Sequence, residues 1–158
     1  MPHQRGTKTV AQNRKAFHDY FVEERYECGI ALFGTEVKSM RAGRVSLKES
    51  WAVVRGGELW VEGMHISPFD QGSYFNRDPL RPKKLLMHKK EIRKLSGDAA
   101  RDGYTLIPLS VYLKDGRMKL ELGLCKGKQL HDKRDSEARR DADRQIQRAM
   151  RSHNRHAE

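Results

Sequence analysis

Apolar and polar side chains alternate from residue 20 to residue 32 of the chain. The even positions are apolar or aromatic except for Glu24, whereas the odd positions include Glu23, Arg25 and Glu27. Successive side chains of a β-strand point to opposite faces, so a period of two indicates a strand. The pattern therefore predicts one long strand with a buried face and a solvent-exposed face.

Two later segments have the pattern of β-hairpins. The segment VSLKESWAVVRGGELWVEGMHISPF turns at Arg55–Glu58, where paired glycines supply the positive φ angles of a tight turn. The segment YTLIPLSVYLKDGRMKLELGLCKGK has Asp115-Gly116 at its tip. Its two arms carry alternating apolar residues: Leu109, Val111, Leu113, Met118, Leu120, Leu122 and Leu124. Pro108 lacks an amide hydrogen and therefore predicts an edge or a bulge in the first arm.

Two helices are predicted between these strands. In GTEVKSMRAG, Thr35 is placed to cap a short helix and Gly43 to end it, with Val37 and Met40 near one face. After the turn-rich loop SPFDQGSYFNRDPLRP, the segment KKLLMHKKEIRKLSGDAARDG repeats apolar residues at helical spacing: Leu85, Ile92, Leu95 and Ala99. The resulting order predicts a mainly β fold with helices, namely an OB-like closed antiparallel β-barrel with short flanking helices.

The C-terminal segment is rich in charge and poor in apolar residues. Ile146 and Met150 are its only large apolar side chains after Leu130, and they follow Ala138 and Ala142 at i,i+4 spacing. A second stripe consists of Arg140, Arg144 and Arg148, and two acid–base pairs have helical spacing: Asp135 with Arg139 and Asp141 with Arg144. The segment therefore has the pattern of a basic helix.

Its free energy does not favour folding alone. Ordering about 25 residues costs about 1–2 kcal/mol each, whereas burying Ile146 and Met150 returns about 1.5–3 kcal/mol apiece. We predict a flexible N-terminal arm (1–12), a barrel (13–131) and a basic tail (132–158) that is disordered when free and helical on a polyanion. A permanently solvated tail is the alternative.

The charge of the chain points to an anionic partner. Its 158 residues fit one domain plus an extension, and 32 Lys+Arg against 21 Asp+Glu give a net charge of +11. Such a field attracts polyanions, of which nucleic acid is the commonest, although charge can also serve solubility alone. The basic residues cluster at predicted loops, helix edges and strand ends: Asn13–Arg14–Lys15, Lys38/Arg41/Arg44, Arg81–Lys84, Lys89–Lys90 and Lys126–Gly127–Lys128.

Enzyme chemistry finds little support in the sequence. The chain has no Walker loop, G-x-S-x-G or H-E-x-x-H motif, and its seven histidines are scattered. His153 and His156 have the spacing of metal ligands but are interpreted as solvated. Glu23 and Glu27 share a strand face and are interpreted as a solvated face, not an acid–base pair. We expect no enzyme activity, no cofactor and no metal.

The cysteines and the lack of long apolar segments indicate the cellular compartment, and the alternation of side chains indicates where the aromatic residues lie. Cys28 and Cys125 stand far apart in apolar runs and are interpreted as buried free thiols. The N-terminus lacks the apolar stretch of a signal peptide, and no run approaches the roughly 20 apolar residues of a membrane span. We therefore expect a cytoplasmic protein. Outward-facing aromatics could stack on bases, but Tyr20, Tyr26, Trp51 and Trp60 are interpreted mostly as core.

Several separated strings resemble the small protein B family, the bacterial tmRNA-binding (SsrA-binding) proteins. The resemblance runs from about Asn13 to the end of the chain. GTEVKS-x-RAG and KGK-x-x-HDKR are its most specific motifs, and they are accompanied in order by NRKAFHDYFVEERYECGIAL, RPKKLLMHKKEI and GYTLIPLSVYLKDGRMKLELGLCKGK. Phe17, Phe33 and Cys125 depart from the family pattern, where a basic residue, a glutamine and an alanine are common.

The resemblance implies an OB-like barrel that binds the tRNA-like domain of tmRNA. It implies delivery of alanyl-tmRNA, together with elongation factor Tu, to ribosomes stalled on messages without a usable stop codon. By resemblance, Asn13, Glu27, Leu86 and Lys119 hold the tRNA-like domain, and Lys126, Gly127 and Lys128 form a basic turn beside them. The neighbouring basic clusters add Arg14, Lys15, Lys38 and Arg41 to the expected RNA-binding set. We expect one copy per tmRNA and no membrane.

The resemblance gives the tail a second task. It implies that the tail enters the decoding centre and the vacant mRNA channel of the small ribosomal subunit, against its rRNA, and becomes helical there. His131 would stack on a decoding-centre base, and Asp132, Lys133 and Arg134 match the signature for accommodation; the expected channel contacts are Arg140, Arg144 and Arg148. Two alternatives remain: an OB-fold RNA-processing enzyme and a constitutive ribosomal RNA-binding protein.

Overall fold

The structure, a computed structural model, describes residues 6–69, 76–128 and 130–156, except for the side chains of 130–133, 135, 136 and 151–156. The chain divides into two compact units, Met1–Gly127 and Lys128–Glu158. The strands are β1 (Thr7–Gln12), β2 (Tyr20–Ile30), β3 (Val45–Ser46), β4 (Trp51–Arg55), β5 (Glu58–Glu62), β6 (His65–Ile66), β7 (Lys83–Leu86), β8 (Tyr104–Lys114) and β9 (Arg117–Gly127). The helices are α1 (Arg14–Asp19), α2 (Gly34–Arg41), α3 (Lys89–Ala99) and α4 (Leu130–His156).

Six antiparallel strands pair edge to edge and close a ring in the first unit. β8 pairs with β4, and the ring continues through β5, β7, β2 and β9, which pairs again with β8. β1 extends the sheet from β8, and β3 pairs with β6 in a separate two-stranded sheet. The prediction of a mainly β fold with helices is confirmed.

The core lies on the apolar faces that the alternating patterns predict. Cys28 of β2 is buried, and the inward-facing residues of the ring are joined by Met40 of α2 and Leu95 of α3. The core strand residues include Leu59, Val61, Leu85, Leu106, Val111, Leu120, Leu122 and Leu124. The one break in the β2 alternation, Glu24, lies at a register shift between β2 and β9. A β-bulge therefore accounts for the exception.

Both predicted hairpin turns are confirmed. Gly56 and Gly57 join β4 to β5 with φ angles of 61° and 76°, and Asp115 and Gly116 join β8 to β9 with φ angles of 51° and 79°. Positive φ at both central residues matches the twist of the flanking strands. The bulge predicted from Pro108 is also present, because the pairing of β8 with β9 shifts between Pro108 and Ser110.

The predicted flexible arm of residues 1–12 is wrong for residues 7–12, which form β1. This strand pairs with β8 from Thr7↔Lys114 to Gln12↔Ser110, and Val10 and Ala11 pack against the core. β4 pairs with β8 only at Leu106, so the backbone of β8 beyond Leu109 would otherwise present an open edge. Residues 7–12 are therefore ordered because their backbone hydrogen-bonds to this edge of β8. Residues 1–5 lie outside the described part of the chain.

Two helix predictions need correction. Thr35 lies inside α2 and does not cap it; the Glu36 carboxylate instead accepts a hydrogen bond of 2.9 Å from the Phe33 amide that precedes the helix. Leu85 is a buried residue of β7, not part of a helix, and α3 begins only at Lys89. A strand between β5 and β2 is needed to close the ring, and this long-range pairing overrides the helical spacing of Leu85 and Ile92.

The two cysteines are buried and free, as predicted. Burial raises the pKa of the Cys28 thiol to about 12 and that of the Cys125 thiol to about 11. Both thiols therefore stay protonated at neutral pH and act as small apolar side chains.

Lys83 of β7 is fully buried. Its Nζ donates to the carbonyl oxygens of Met64 at 2.7 Å and Pro79 at 3.1 Å, and burial lowers the pKa of Lys83 from 10.5 to about 8. The unfolded chain therefore binds more protons than the folded chain between these two pH values. Lys83 consequently contributes more stability as the pH rises from about 8 to about 10.5.

Replacing Lys83 by methionine is expected to remove this pH dependence. The free energy of unfolding of the unmodified chain should rise, relative to Lys83→Met, by about 2–3 kcal/mol between about pH 7.5 and 10.5. Urea unfolding of both chains across this range measures the difference, in which the contributions of the other titrating groups cancel. A difference that is independent of pH would contradict the lowered pKa.

Candidate nucleic-acid interface

A groove of about 480 Å³ opens where β2, β7, β9 and the start of α3 meet, and three of the predicted RNA-binding residues line it. They are Glu27 of β2, Leu86 of β7 and Lys119 of β9. The register explains the convergence: Gly29 pairs with Leu86 on one side and with Lys119 on the other, and Glu27 lies two residues earlier on the same face of β2. We call this the Glu27 groove.

Two properties of the Glu27 groove suit a ligand. Leu86 is 50% exposed, which is unusual for a leucine in a strand whose alternate residues are buried. Its Cβ lies 3.2 Å from where a side chain at Gly29 would begin, so the absence of that side chain makes room for Leu86. An apolar contact surface thus lies between an acid and a base.

The carboxylate of Glu27 is held in place and stays ionised. It accepts hydrogen bonds from the Tyr112 hydroxyl at 2.5 Å and from Lys114 Nζ at 3.3 Å, which lower the pKa of Glu27. Burial and the bond to Glu27 raise the pKa of Tyr112. Glu27 is therefore a fixed acceptor that can receive hydrogen bonds from ribose hydroxyls or base amino groups, while Lys119 offers a cation for phosphate.

Asn13 has a structural role in the first unit, and its predicted RNA contact stays a prediction. It is 6% exposed, and its Nδ2 donates to the carbonyl oxygens of Pro108 at 2.9 Å and Leu47 at 3.3 Å. Its Oδ1 accepts from the Ala16 amide at 3.2 Å and so caps α1. Its polar atoms are engaged within the protein, and it positions its exposed neighbours Arg14 and Lys15.

The tripeptide Lys126–Gly127–Lys128 was expected to form a basic turn beside the other RNA-binding residues, and this is wrong. β9 continues in extended form through Gly127, which pairs with Tyr20 at the opposite end of β2 from Gly29. Eight residues separate Lys119 from Gly127, or about 27 Å at about 3.4 Å per residue. Lys126 instead lies 5.8 Å from the Tyr104 ring, which Arg101 also covers at 4.2 Å.

Lys38 and Arg41 are exposed on α2, which does not line the Glu27 groove. Lys38 Nζ lies 5.6 Å from the centre of the Phe69 ring. The structure therefore brings Glu27, Leu86 and Lys119 together, but it leaves these two cations on a different part of the first unit.

Exposed aromatic residues are the feature that the sequence reading missed. Trp51, one of four aromatic residues interpreted mostly as core, faces outward, because its neighbour Ala52 takes the buried position of β4. Two phenylalanines are exposed beside guanidinium groups: Arg25 lies 5.4 Å from the Phe17 ring, and Arg77 lies 4.1 Å from the Phe33 ring. Period-two counting could have found Trp51, whereas the Phe–Arg contacts join distant segments.

The second unit consists of α4. Arg134, Arg140, Arg144 and Arg148 are exposed, and Arg144 lies 4.0 Å from Asp141, as the spacing predicts. Ile146 and Met150 are 53% and 63% exposed. The side chains of His131, Asp132 and Lys133 lie outside the described atoms, as do those of Asp135, His153 and His156, so their predicted roles stay predictions.

None of the helices in the described residues is both long enough and apolar enough to cross a membrane. Over the same residues, no group of three or more His, Cys, Asp or Glu side chains has the arrangement of a metal site.

Comparison with known proteins adds to this geometry. The family model described as "SmpB protein" matches residues 10–152. The chain is 59% identical over 147 residues to the SsrA-binding protein of Clostridium novyi (90% of this chain, 94% of the relative). It is 55% identical over 156 residues to the SsrA-binding protein of Clostridium botulinum strain Eklund 17B (99% of this chain, 100% of the relative).

A solved structure is similar as well. It is described as "tmRNA-SmpB: a journey to the center of the bacterial ribosome", and it matches with a TM-score of 0.65 and 50% sequence identity. The match covers 76% of this chain and 85% of that chain.

Proposed function

This chain belongs to the SmpB protein family, and on that premise we propose that it binds the tRNA-like domain of tmRNA in trans-translation and delivers it to stalled ribosomes. The observation that carries the RNA-binding part is the convergence of Glu27, Leu86 and Lys119 on one groove. Three residues from three strands supply an acceptor, an apolar contact and a cation in one place, which is the mixture that structured RNA requires.

In this proposal the ring of strands acts as an OB-like barrel. Lys119 contacts a phosphate, Glu27 accepts from a ribose or base, and Leu86 packs against the exposed sugar or base. The basic residues outside the groove follow the phosphate backbone without reading sequence: Arg14, Lys15, Lys38, Arg41, Lys126 and Lys128, with Gly127 between the last two. Their separation across the first unit suits a large folded RNA better than a short strand.

The tail supplies the second half of the proposal. We place residues 132–158 in the decoding centre and the empty mRNA channel of the small subunit, with His131, Asp132, Lys133 and Arg134 at the entrance and Arg140, Arg144 and Arg148 along the rRNA. The exposed Ile146 and Met150 support a helix that needs a partner. Free in solution the tail is proposed to lose its helix, since side-chain pairs such as Asp141–Arg144 contribute only about 0.2–0.5 kcal/mol.

The remaining partners follow from the same proposal. One copy of the chain binds one alanyl-tmRNA, which arrives with elongation factor Tu, and the complex works in the cytoplasm where ribosomes stall. Residues 13–131 hold the RNA and residues 132–158 test the ribosome. No covalent step, cofactor or metal is assigned to the chain.

Lys119→Ala and Glu27→Ala are expected to weaken tmRNA binding about tenfold or more, because each removes a charged hydrogen-bonding group from the Glu27 groove. Filter binding at several salt concentrations measures the effect, and Lys119→Ala should also lower the salt dependence by about one ion. Lys48→Ala removes the same charge from an exposed position outside the groove and should change the affinity little. Thermal unfolding of Lys119→Ala should be nearly unchanged, whereas Glu27→Ala also removes the acceptor of the Tyr112 hydroxyl and should cost about 1–3 kcal/mol. A collapse of the melting temperature in both variants would make these residues structural.

Sequencing the RNA that co-purifies with the chain tests the class of partner. One dominant tmRNA species, together with a minority of the ribosomes, is expected. A stoichiometric complex with all ribosomes would instead indicate a constitutive ribosomal protein. Cleavage or modification of the bound RNA by the purified chain would indicate an RNA-processing enzyme.

A further inference from the structure

A second cleft, of about 350 Å³, lies between β1, α1 and the outer faces of β2, β8 and β9. Phe17 of α1 is 41% exposed and forms one wall, while Leu109 of β8 contributes a buried apolar surface. Its neutral hydrogen-bonding residues include Thr9, Gln12 and Ser110, and three charged residues also line it: Arg14, Arg25 and Glu121. We call it the bulge cleft.

Two β-bulges border this cleft. The register of β1 against β8 shifts between Thr9 and Ala11, and the register of β8 against β9 shifts between Pro108 and Ser110. Bulges re-aim side chains and are frequent beside functional sites. Here they leave Gln12 and Ser110, which are register partners, lining the same cleft.

The floor of the bulge cleft depends on a glycine. A Cβ at Gly123 of β9 would lie 2.9 Å from Leu109 Cδ1 and 3.1 Å from Cys125 Sγ. Leu109 can therefore pack this closely against β9 only because Gly123 has no side chain. The cleft is thus bounded by the exposed Phe17 ring and by neutral polar groups, together with the charged side chains of Arg14, Arg25 and Glu121.

The charges at the bulge cleft favour an anion at its rim. Arg14 is exposed, lines the cleft, and forms no ion pair with a carboxylate among the residues that the structure describes. The one acid of the cleft, Glu121, is paired with Arg25 at 3.2 Å. The rim is therefore positive while the interior is neutral.

From this arrangement we propose that the bulge cleft binds an unpaired nucleobase of the bound RNA, with the adjoining phosphate on Arg14. A nucleobase is flat and apolar on its faces and carries donors and acceptors along its edge. The exposed Phe17 ring matches a face of the base, and Gln12 and Ser110 match its edge. The base must be unpaired, because in a base pair the donors and acceptors of its edge already bind the partner base and are not free for Gln12 and Ser110.

The source of the base is the same RNA that lies in the Glu27 groove, so the inference rests on the proposed function. Tyr112 lines the bulge cleft, and its hydroxyl donates to Glu27, which lines the groove. Glu121 of the cleft is the register partner of Glu27. The two sites therefore share one wall, and an RNA seated in the groove reaches the cleft without leaving the surface.

Nuclear magnetic resonance of the full 158-residue chain tests the cleft directly. Titration with each of the four nucleoside 5′-monophosphates is expected to shift the Gln12 side-chain amide and the backbone amides of Thr9 and Ser110. Inorganic phosphate alone should leave these signals in place. Absent shifts with every nucleotide, or equal shifts with inorganic phosphate, would overturn the proposed base site.

A second arm measures tmRNA affinity. Phe17→Ala is expected to weaken binding at least about fivefold, the lower range for loss of base stacking on an aromatic ring, and Phe17→Trp should retain it. Phe33→Ala is the matched control, because Phe33 is 43% exposed and lies outside the cleft. Melting curves of all three variants confirm that the fold is intact.

Lys119→Ala separates the two hypotheses. If it weakens tmRNA binding while Phe17→Ala does not, the cleft inference fails and the proposed function stands. If the unmodified chain does not bind tmRNA at all, the proposed function itself fails.

Discussion

Removal of residues 132–158 is expected to leave tmRNA affinity within about twofold of the full chain and to abolish peptide tagging on stalled ribosomes. The residues of the Glu27 groove and the bulge cleft all precede residue 122 and belong to the unit that ends at Gly127. The tail adds charge but no residue to either site. Filter binding and an in vitro tagging reaction measure the two functions on the same preparations.

A charge control separates the shape of the tail from its charge. Replacing Arg140, Arg144 and Arg148 together by lysine keeps the positive stripe, so binding to rRNA phosphates should persist with a modest loss of tagging. Replacing the same three residues by glutamate should abolish tagging as completely as truncation. A large loss of tmRNA affinity in the truncated chain would contradict the division of labour between the two units.

Sequence patterns predicted those elements whose geometry is determined by residues close together in the chain. The hairpins at Gly56–Gly57 and Asp115–Gly116 follow from the positive φ angles that those residues tolerate. The buried face of β2 follows from simple alternation. In each case residues that are close in sequence determine the geometry, so the sequence alone was sufficient.

Strands that exist because of distant partners could not be predicted in this way. β1 is ordered by the open edge of β8, about 100 residues later in the chain, and β7 is ordered by its place between β5 and β2. With four residues, β7 is too short to show a clear alternation of buried and exposed side chains, and the spacing from Leu85 to Ile92 also fits a helix. Leu85 lies in a strand because β7 must pair with both β5 and β2 to close the ring.

The candidate site shows the same division. Resemblance indicated Glu27, Leu86 and Lys119, but only the register through Gly29 explains why they meet. The bulge cleft gave no signal in the sequence, because its threonine, glutamine and serine residues are unremarkable singly and come from separate strands. Resemblance also indicated Asn13 as an RNA contact. The residues near Asn13 in the sequence do not reveal that its side-chain amide donates to two carbonyl oxygens from distant segments.

Asn13→Ala is accordingly expected to destabilise the first unit by about 2–4 kcal/mol. The substitution removes the cap of α1, which is worth about 1 kcal/mol, and the buried donor to the carbonyl oxygen of Pro108, at about 1–3 kcal/mol. The carbonyl oxygen of Leu47 keeps the amide and the hydroxyl of Ser50 as donors. For a unit of this size the melting temperature should fall by roughly 7–15 °C. Differential scanning calorimetry measures the change.

Two neighbouring variants decide whether the loss is structural. Asn13→Asp keeps the cap but places a carboxylate against both carbonyl oxygens, so it should be at least as unstable as Asn13→Ala at neutral pH. Arg14→Ala removes an exposed side chain and should melt like the unmodified chain. If Asn13 holds α1 against Leu47 and Pro108, its removal must lower the stability of the fold. Unchanged melting of Asn13→Ala, together with a loss of tmRNA affinity well below the melting temperature, would therefore indicate that Asn13 contacts RNA directly.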